Sequence, residues 1–289
     1  MSYIKKRRVS NLECAEWDLG YLKSIPETAQ TMSSSYRIAF ADHEFLLSDE
    51  MRGIRLHLEL SKVEKSLDDN GIYSTIAMFG SARFCEDGNL DGMQDSKLKK
   101  KEDDSDALIA RRKWYYEMAR DFSVMVSRGT SHLPGEFVVC TGGGGGIMEA
   151  GNRGASDART DSIGFGIVLK NEKVPNKYIS SDLCFNFHYF SIRKLHFLMR
   201  AKVIAVFPGG YGTLDELFEA LTLIQTHKMS AVPVLLFGKD FWSRVVNFEA
   251  LVEEGTISQH DLSIFHYVDS AEEGWEYIRN HYNISEHRE

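Results

Sequence analysis

The sequence lacks any long apolar run. Its most apolar stretches, such as residues 203–207 and 232–237, are far shorter than the ~20 apolar residues that a helix needs to cross a bilayer. Residues 5–8 are basic, but acidic residues follow them instead of an apolar segment, so we expect no signal peptide. The sequence therefore predicts a cytoplasmic protein that does not associate with a membrane.

Cysteine is scarce and widely spaced. No two of the cysteines form a C-x-x-C pair, and none lies with histidines at the spacing of a zinc site. We expect buried, reduced thiols and no metal centre. The four positions are Cys14, Cys85, Cys140 and Cys184.

Basic residues are fewer than acidic residues. The chain has 34 lysines and arginines against 42 aspartates and glutamates, a formal charge of −8. Such a balance repels nucleic acid unless the basic residues gather on one face. We therefore expect no nucleic-acid partner and a small anionic molecule as the ligand.

What is present is an α/β pattern. The 289 residues, 43% of them hydrophobic, suffice for a sizeable core. Helical periodicity over residues 38–67 predicts a helical N-terminal extension, residues 1–71. From residue 72 to residue 289, short β-rich runs alternate with amphipathic segments, which predicts βαβ units. Residues 86–106, with Asp-Gly pairs and charged runs, predict a mobile surface insertion.

The alternation predicts a doubly wound, Rossmann-like parallel sheet flanked by helices, because continuous apolar runs are typical of buried parallel strands. The predicted strands are residues 74–79, 137–140, 163–169, 203–207, 232–237 and 265–268. The predicted helices are residues 110–127, 146–157, 190–201, 214–227, 241–253 and 271–282.

Residues 142–146 are five consecutive glycines between a predicted strand and a predicted helix. Residues without a Cβ let the backbone approach a ligand closely, and amides at a helix start attract a phosphate. A tight or flexible turn is the alternative, but it does not need so many glycines. No register gives G-x-G-x-x-G, and no Lys-Ser or Lys-Thr pair follows as in a P-loop. The run thus predicts a phosphate site unlike that of a typical NAD dehydrogenase or NTPase.

A second glycine-rich turn, residues 208–216, reads P-G-G-Y-G-T-L-D-E and also joins a predicted strand to a predicted helix. In a doubly wound sheet, ligands bind at the carboxyl ends of strands where the winding direction switches. We therefore predict that the two turns share one ligand.

Glu216 admits two interpretations. Thr213 and Glu216 have the spacing of a capping box, in which both side chains satisfy backbone amides. A cap, however, does not need the glycines that precede it. A carboxylate beside a bound sugar can instead stabilise positive charge or direct a water molecule.

The two turns together resemble the LOG (lonely guy) phosphoribohydrolases, which are often mislabelled as lysine decarboxylases. The P-G-G-x-G-T-x-x-E signature is complete. Residues 142–155 resemble G-G-G-P-G-I-M-E-A-x-N-x-G-A of longer bacterial members, with Gly145 in place of proline. Arg193 and Lys194 stand where the family has an R-K pair. The resemblance covers roughly residues 72–282.

The resemblance implies hydrolysis of the N-glycosidic bond of a nucleoside 5′-monophosphate to free base and ribose 5-phosphate. It implies that Glu216 engages the ribose and stabilises an oxocarbenium-like transition state, and that Arg193 assists departure of the base. The implied substrate-binding residues are Gly80, Ser81, Gly143, Gly144, Gly145, Gly146, Met148, Glu149, Lys194, Gly209, Gly210, Gly212 and Thr213.

The sequence leaves the preferred base and the type of function open. Phe190 and Ser191 replace the Met-His of compact plant-type members, so the base preference is open between cytokinin, AMP-like and pyrimidine nucleotides. The resemblance implies a homodimer or higher homo-oligomer. No lysine has a recognisable pyridoxal-binding setting, and we expect no cofactor. The alternative function is a non-catalytic carrier of a phosphorylated cofactor, similar to molybdenum-cofactor carrier proteins.

Overall fold

The computed structural model describes residues 14–87, 106–169 and 174–285. It contains two compact units, Met1–His57 and Leu58–Glu289. The boundary between the units falls inside a helix, whereas the division predicted at residue 71 stays a prediction. The predicted insertion, residues 86–106, lies almost entirely outside the described residues.

The first unit contains helices α1 (Ala15–Leu22) and α2 (His43–Leu47) and the start of α3 (Arg52–Asp69). The helical structure predicted for residues 38–67 is present but interrupted in its first part, where short 3-10 helices flank α2 and the long helix begins only at Arg52. There the Asp42 side chain caps α2 by accepting the amides of Glu44 and Phe45, and Ser48, in an extended conformation, ends the helix. Local capping therefore overrides the helical periodicity.

The second unit largely alternates strands and helices after α3, as predicted, but among the described residues only a 3-10 helix, Ser181–Leu183, lies between β3 and β4. The strands are β1 Thr75–Phe79, β2 Val138–Thr141, β3 Ser162–Ile167, β4 Cys184–Phe187, β5 Ala201–Val206, β6 Val234–Phe237 and β7 Phe265–Val268. The helices are α4 Asp106–Gly129, α5 Ile147–Asp157, α6 Phe190–Met199, α7 Tyr211–Gln225, α8 Lys239–Val245, α9 Phe248–Glu253 and α10 Ala271–Tyr282.

The seven strands form one parallel sheet in the order β4-β3-β2-β1-β5-β6-β7. The chain runs outward from β1 to β4, returns to the other side of β1 as β5, and then runs outward to β7. This is the doubly wound, Rossmann-like sheet that the alternation predicted, and the fold class is confirmed.

Both faces of the sheet are covered, because side chains of a strand alternate between its faces. In β1, Ala77 and Phe79 belong to one apolar cluster, and Ile76 and Met78 belong to the other. Helices α3, α6 and α7 contribute to the first cluster, and α4, α5 and α10 contribute to the second. Among the described residues, no helix combines the length and apolarity needed to cross a membrane.

Two elements differ from the predictions. Strand β4 was not predicted, because its residues alternate between exposed and buried at the edge of the sheet and form no continuous apolar run. The single helix predicted at residues 241–253 is two helices. Val246 adopts an extended conformation after α8, and the Asn247 side chain caps α9 by accepting the amide of Ala250.

The prediction of buried cysteines is confirmed for Cys140 only. Cys14 and Cys184 are exposed, and Cys85 is partly exposed. Cys184 is exposed because it lies on the outward-facing positions of the edge strand β4. All four thiols are free.

Candidate functional site

The two glycine-rich turns lie at the same edge of the sheet. They follow β2 and β5, which are the two neighbours of β1. Since all seven strands are parallel, their carboxyl ends meet at one edge, and the winding direction switches beside β1. A crevice at such a switch point is where ligands bind in open α/β sheets.

Ser81, which follows β1, connects the two turns through its backbone. Its N–H donates to the carbonyl of Pro208 in the second turn, at 3.0 Å. Its carbonyl accepts the N–H of Ile147, the first residue of α5, also at 3.0 Å. Gly146 has a left-handed φ of 64°, and a Cβ there would collide with the Ser81 carbonyl. The three loops therefore pack directly against each other.

A buried polar network holds the first turn in place. The Asn152 side chain accepts hydrogen bonds from the Thr141 hydroxyl, at 2.6 Å, and from the Asn176 amide, at 2.9 Å. Asn176 in turn donates its backbone N–H to the Gly143 carbonyl and its side-chain amide to the Gly144 carbonyl. The sequence gives no signal of this support, because Asn152 lies within α5 and Asn176 lies in a loop, and neither position indicates its partners.

The amides of the first turn divide into two groups. Gly143 donates to the hydroxyl of Thr141, at 3.0 Å. Within the described residues, the amides of Gly144, Gly145 and Gly146 have no protein acceptor. These free donors stand at the start of α5, where the helix dipole also favours an anion.

The second turn excludes the capping interpretation of Glu216. Helix α7 begins at Tyr211 with Gly210 as its N-cap, so Thr213 is already the third residue of the helix. Its N-cap is a glycine, and among residues 14–87, 106–169 and 174–285 no side chain caps this helix start. Thr213 is buried, and a Cβ on Gly209 would collide with it. Glu216 therefore lies one turn inside α7 and is not part of a capping box.

Gly210 and Gly212 have no structural need to be glycine. Neither has a left-handed φ, and a Cβ at either position would meet no atom of the described residues within 4 Å. A glycine at the second position of a helix costs stability relative to alanine. The open space above both residues is thus suited to close approach of a ligand.

Arg193 lies on α6 and reaches over the first turn. Its Nε donates to the Phe165 carbonyl at 2.7 Å, and its guanidinium lies 5.4 Å from the centre of the Phe197 ring. A Cβ on Gly142 would come within 2.5 Å of its Nη2 and within 2.7 Å of the Met148 sulfur. The guanidinium therefore sits against the backbone of the first glycine.

Helix α6 is held at both ends by α3. The Glu59 carboxylate accepts the backbone amide of His188, just before the helix, at 2.8 Å. Beyond the other end, Arg200 pairs with Glu64 at 2.8 Å and with Asp68 at 2.9 Å. These contacts fix the helix that carries the arginine.

Glu216 is half-buried, and its burial raises its pKa to about 7. The nearby charge of Arg193 opposes this rise, whereas the charge of Asp215 adds to it. Burial also raises the pKa of Cys140 at the end of β2; Glu216 raises it further, and Arg193 lowers it. The Glu216 carboxyl and the Arg193 guanidinium are therefore close enough to interact electrostatically with each other and with Cys140 of β2.

Two predicted binding residues already have protein partners. Lys194 forms ion pairs with Asp215 and Glu219 of α7, each at 3.1 Å. Glu149 accepts a hydrogen bond from the Tyr116 hydroxyl at 3.1 Å. Gly80 packs so closely on Ile147 that a Cβ would overlap its side chain. In the part of the chain that the structure describes, no group of three or more acidic, histidine or cysteine side chains is arranged to hold a metal ion.

The fold and the site together define a class: a doubly wound α/β protein with helix-terminal amides, a guanidinium and a carboxyl of raised pKa at its switch point. Residues 148–278 match a family model described as "Possible lysine decarboxylase". The match includes Arg193, Glu216 and the second turn, and it begins just after the glycines of the first. No curated protein matches the sequence of the chain.

Among solved structures, the chain is similar to the molybdenum cofactor carrier protein MCP of Chlamydomonas reinhardtii, with 16% identity and a TM-score of 0.43. That match covers 72% of this chain and 96% of the other. The molybdenum cofactor binding protein of the phototrophic bacterium Rippkaea orientalis gives 16% identity and a TM-score of 0.42, over 72% and 97% of the two chains. Neither likeness assigns a function to this chain.

Proposed function

We propose that this protein hydrolyses the N-glycosidic bond of a nucleoside 5′-monophosphate, releasing the free base and ribose 5-phosphate. The observation that carries the proposal is the raised pKa of Glu216 beside Arg193, next to two glycine-rich turns with open backbone. The resemblance of both turns to the LOG signature agrees with it.

The proposed site assigns a part of the substrate to each group. The phosphate binds the free amides of Gly144, Gly145 and Gly146 and the start of α7 beside Gly212, because both helix N-termini favour an anion. Arg193 and Glu216 then face the sugar and the bond to the base. The role of Lys194 is to hold α6 to α7 through its ion pairs.

The proposed reaction needs one water molecule. The bond between C1′ and the base nitrogen breaks, and its electron pair leaves with the base. Positive charge develops on the ribose ring, and the ionised carboxylate of Glu216 stabilises it. Water adds hydroxide to C1′, and its proton ends on the departing base, whose negative charge Arg193 stabilises as it forms.

A substrate panel tests the proposal. The purified protein is incubated with adenine, guanine, cytosine, uracil and cytokinin nucleoside 5′-monophosphates, and the released base and ribose 5-phosphate are measured. We expect the two products to form in equal amounts. The matching nucleosides are the control, and they should react poorly because they lack the phosphate. Binding of a nucleotide without release of base would instead support the carrier of a phosphorylated cofactor. Release from none of the nucleotides would refute the hydrolase.

A further inference from the structure

His196 is a buried polar side chain that the proposed chemistry does not use. It lies on α6 and is only 1% exposed. Within the described residues, neither of its ring nitrogens makes a hydrogen bond of good geometry. Oε1 of Glu64 on α3 lies 3.4 Å from its Nδ1 and is likewise buried without such a bond. Buried polar atoms in proteins usually have hydrogen-bond partners, so this pair is unusual.

The ring of His196 packs against the residue that orients Arg193. Its centre lies 5.9 Å from the centre of the Phe165 ring on β3 and 5.5 Å from that of Phe187 on β4. The backbone carbonyl of Phe165 accepts the hydrogen bond from Arg193 Nε, at 2.7 Å. Arg193 and His196 are neighbours on the surface of α6, because they are three residues apart. His196 therefore lies where α3, β3 and the arginine meet.

Glu64 faces α6 with both of its oxygens. Oε2 accepts a hydrogen bond from Arg200, just after α6, at 2.8 Å, and Oε1 faces His196. Burial lowers the pKa of His196, although the nearby charge of Glu64 opposes this shift. The ring is therefore neutral at neutral pH and carries a single N–H. We place this N–H on Nδ1, because that nitrogen faces a carboxylate oxygen.

For stability alone, a phenylalanine would suit this position better than a histidine. Its ring has a similar size, fits among the aromatic rings of β3 and β4, and buries no nitrogen that lacks a partner. Arg200 would still hold Glu64 to the end of α6. The imidazole thus adds a contact between α3 and α6 at a cost in stability.

We propose that His196 is a positioning residue for Arg193. It holds the C-terminal half of α6 to Glu64 and packs on Phe165, and these two contacts together set the direction of the guanidinium. Its effect on catalysis rests on the proposed function, but the position of the guanidinium is measurable without a substrate. A misplacement of about 1 Å costs on the order of a hundredfold in rate, so a small shift of α6 is sufficient.

The first test is His196→Phe, which fills the space of the ring but cannot bond to Glu64. For whichever of AMP, GMP, CMP and UMP the wild type hydrolyses fastest, we expect kcat to fall on the order of tenfold to a hundredfold. KM should stay nearly the same, because the free amides of the first turn still bind the phosphate. The melting temperature should equal or exceed that of wild type, whereas loss of a merely structural residue would lower it. His260→Phe, the same change at an exposed histidine, should alter none of these quantities.

His196→Asn tests the bond to Glu64. The asparagine amide places an N–H close to the position of Nδ1, so we expect this variant to regain part of the kcat that His196→Phe loses. Its smaller side chain leaves a cavity, so its melting temperature should fall. An asparagine variant that is no more active than the phenylalanine variant would contradict the proposal.

A further measurement needs no substrate. The hydrogen bond to Phe165 protects the Nε–H of Arg193 from exchange with solvent, and ¹⁵N-arginine labelling follows this proton by NMR, with Arg193→Lys to assign its signal. We expect exchange about tenfold faster in His196→Phe than in wild type or His260→Phe. Unchanged exchange overturns the inference, and the proposed function still stands if the wild type releases base. Faster exchange in a protein that releases no base supports the positioning role, although the hydrolase is then refuted.

Discussion

At the scale of single residues, Glu216 combines an ionisable group with an environment that disfavours its charge. Its pKa of about 7 lies well above its ordinary value of 4.5, chiefly because burial penalises the carboxylate. In the folded protein the charged form is therefore costly at neutral pH, although the proposed chemistry requires it. A catalytic carboxylate of this kind is expected to reduce stability.

Glu216→Gln should abolish turnover and stabilise the fold at high pH. The pKa of Glu216 is higher in the folded state than in the unfolded state. Its contribution to the free energy of unfolding is therefore fully present below about pH 4.5 and decreases as the pH rises through 7. The glutamine amide does not ionise, so the stability of the variant does not fall in this way. We expect the variant to be more stable than wild type by roughly 1 to 3 kcal/mol at pH 8, after allowance for screening by solvent.

The measurement is urea unfolding of both proteins at pH 4.5 and pH 8. The gain should vanish at the lower pH, where the wild-type carboxyl is neutral in the folded state. A variant that turns over nucleotide at the wild-type rate would remove Glu216 from the mechanism. Equal stability of the two proteins at pH 8 would contradict the raised pKa.

The same pKa predicts how the rate depends on pH. If the carboxylate stabilises developing positive charge, kcat should rise about tenfold per pH unit below 7 and level off above it. Saturating nucleotide is used, so that ionisation of free substrate does not affect the result. A rate that instead rises toward acid pH would make the protonated Glu216 the active form, acting as a general acid.

At the scale of elements, the start of α7 carries a glycine where alanine would give a more stable helix. Gly212 is the second residue of α7, and in the described part of the chain no atom lies within 4 Å of the position that a Cβ on it would take. Gly53 provides a control, since it lies in the continuous helical segment of residues 49–69 and a Cβ on it would meet no atom of the described residues within 4 Å. Both positions therefore have room for a methyl group, and only Gly212 lies at the proposed phosphate site.

Gly212→Ala should stabilise the protein by up to about 1 kcal/mol, because alanine has the higher helix propensity. It should also weaken nucleotide binding by about tenfold or more, because its methyl group fills the space that a phosphate needs to reach the helix amides. Gly53→Ala should give the same stabilisation with unchanged binding. Calorimetry of binding and thermal unfolding measure both effects. Full nucleotide affinity in Gly212→Ala would argue against a phosphate at this helix.

At the scale of the whole molecule, helices α6 and α7 expose apolar side chains close to the candidate site. Phe190, Leu195 and Met199 of α6 and Phe218 of α7 are each more than a third exposed. Large exposed apolar patches often mark protein interfaces. Since isologous dimers are the commonest assemblies, we propose that this face pairs two copies of the chain.

Sedimentation velocity at micromolar concentration should therefore give a mass near twice 32.9 kDa. Leu195→Glu should shift the protein toward the monomer, because a buried, unpaired charge at an interface is costly. A matched change on α10, Asn280→Glu, should leave the mass unaltered. A wild-type monomer at these concentrations would contradict the proposal.

The sequence by itself determined the alternation of strands and helices and the position of both glycine-rich turns. It could do so because apolar runs, helical periodicity and glycine clusters depend on residues that are close along the chain. It did not predict β4, whose side chains alternate at an edge, nor the break between α8 and α9, which a single capping asparagine makes. It also left Glu216 open between a cap and a ligand site.

Only the tertiary structure decided where these pieces lie relative to each other. It brought Arg193 of α6 against Gly142, set Glu216 within reach of that charge, and joined the turns through Ser81. It also gave Lys194 and Glu149 protein partners and revealed the support from Asn152 and Asn176. These relations join residues that are far apart in sequence. Their free energies depend on burial and distance, which no local pattern of residues encodes.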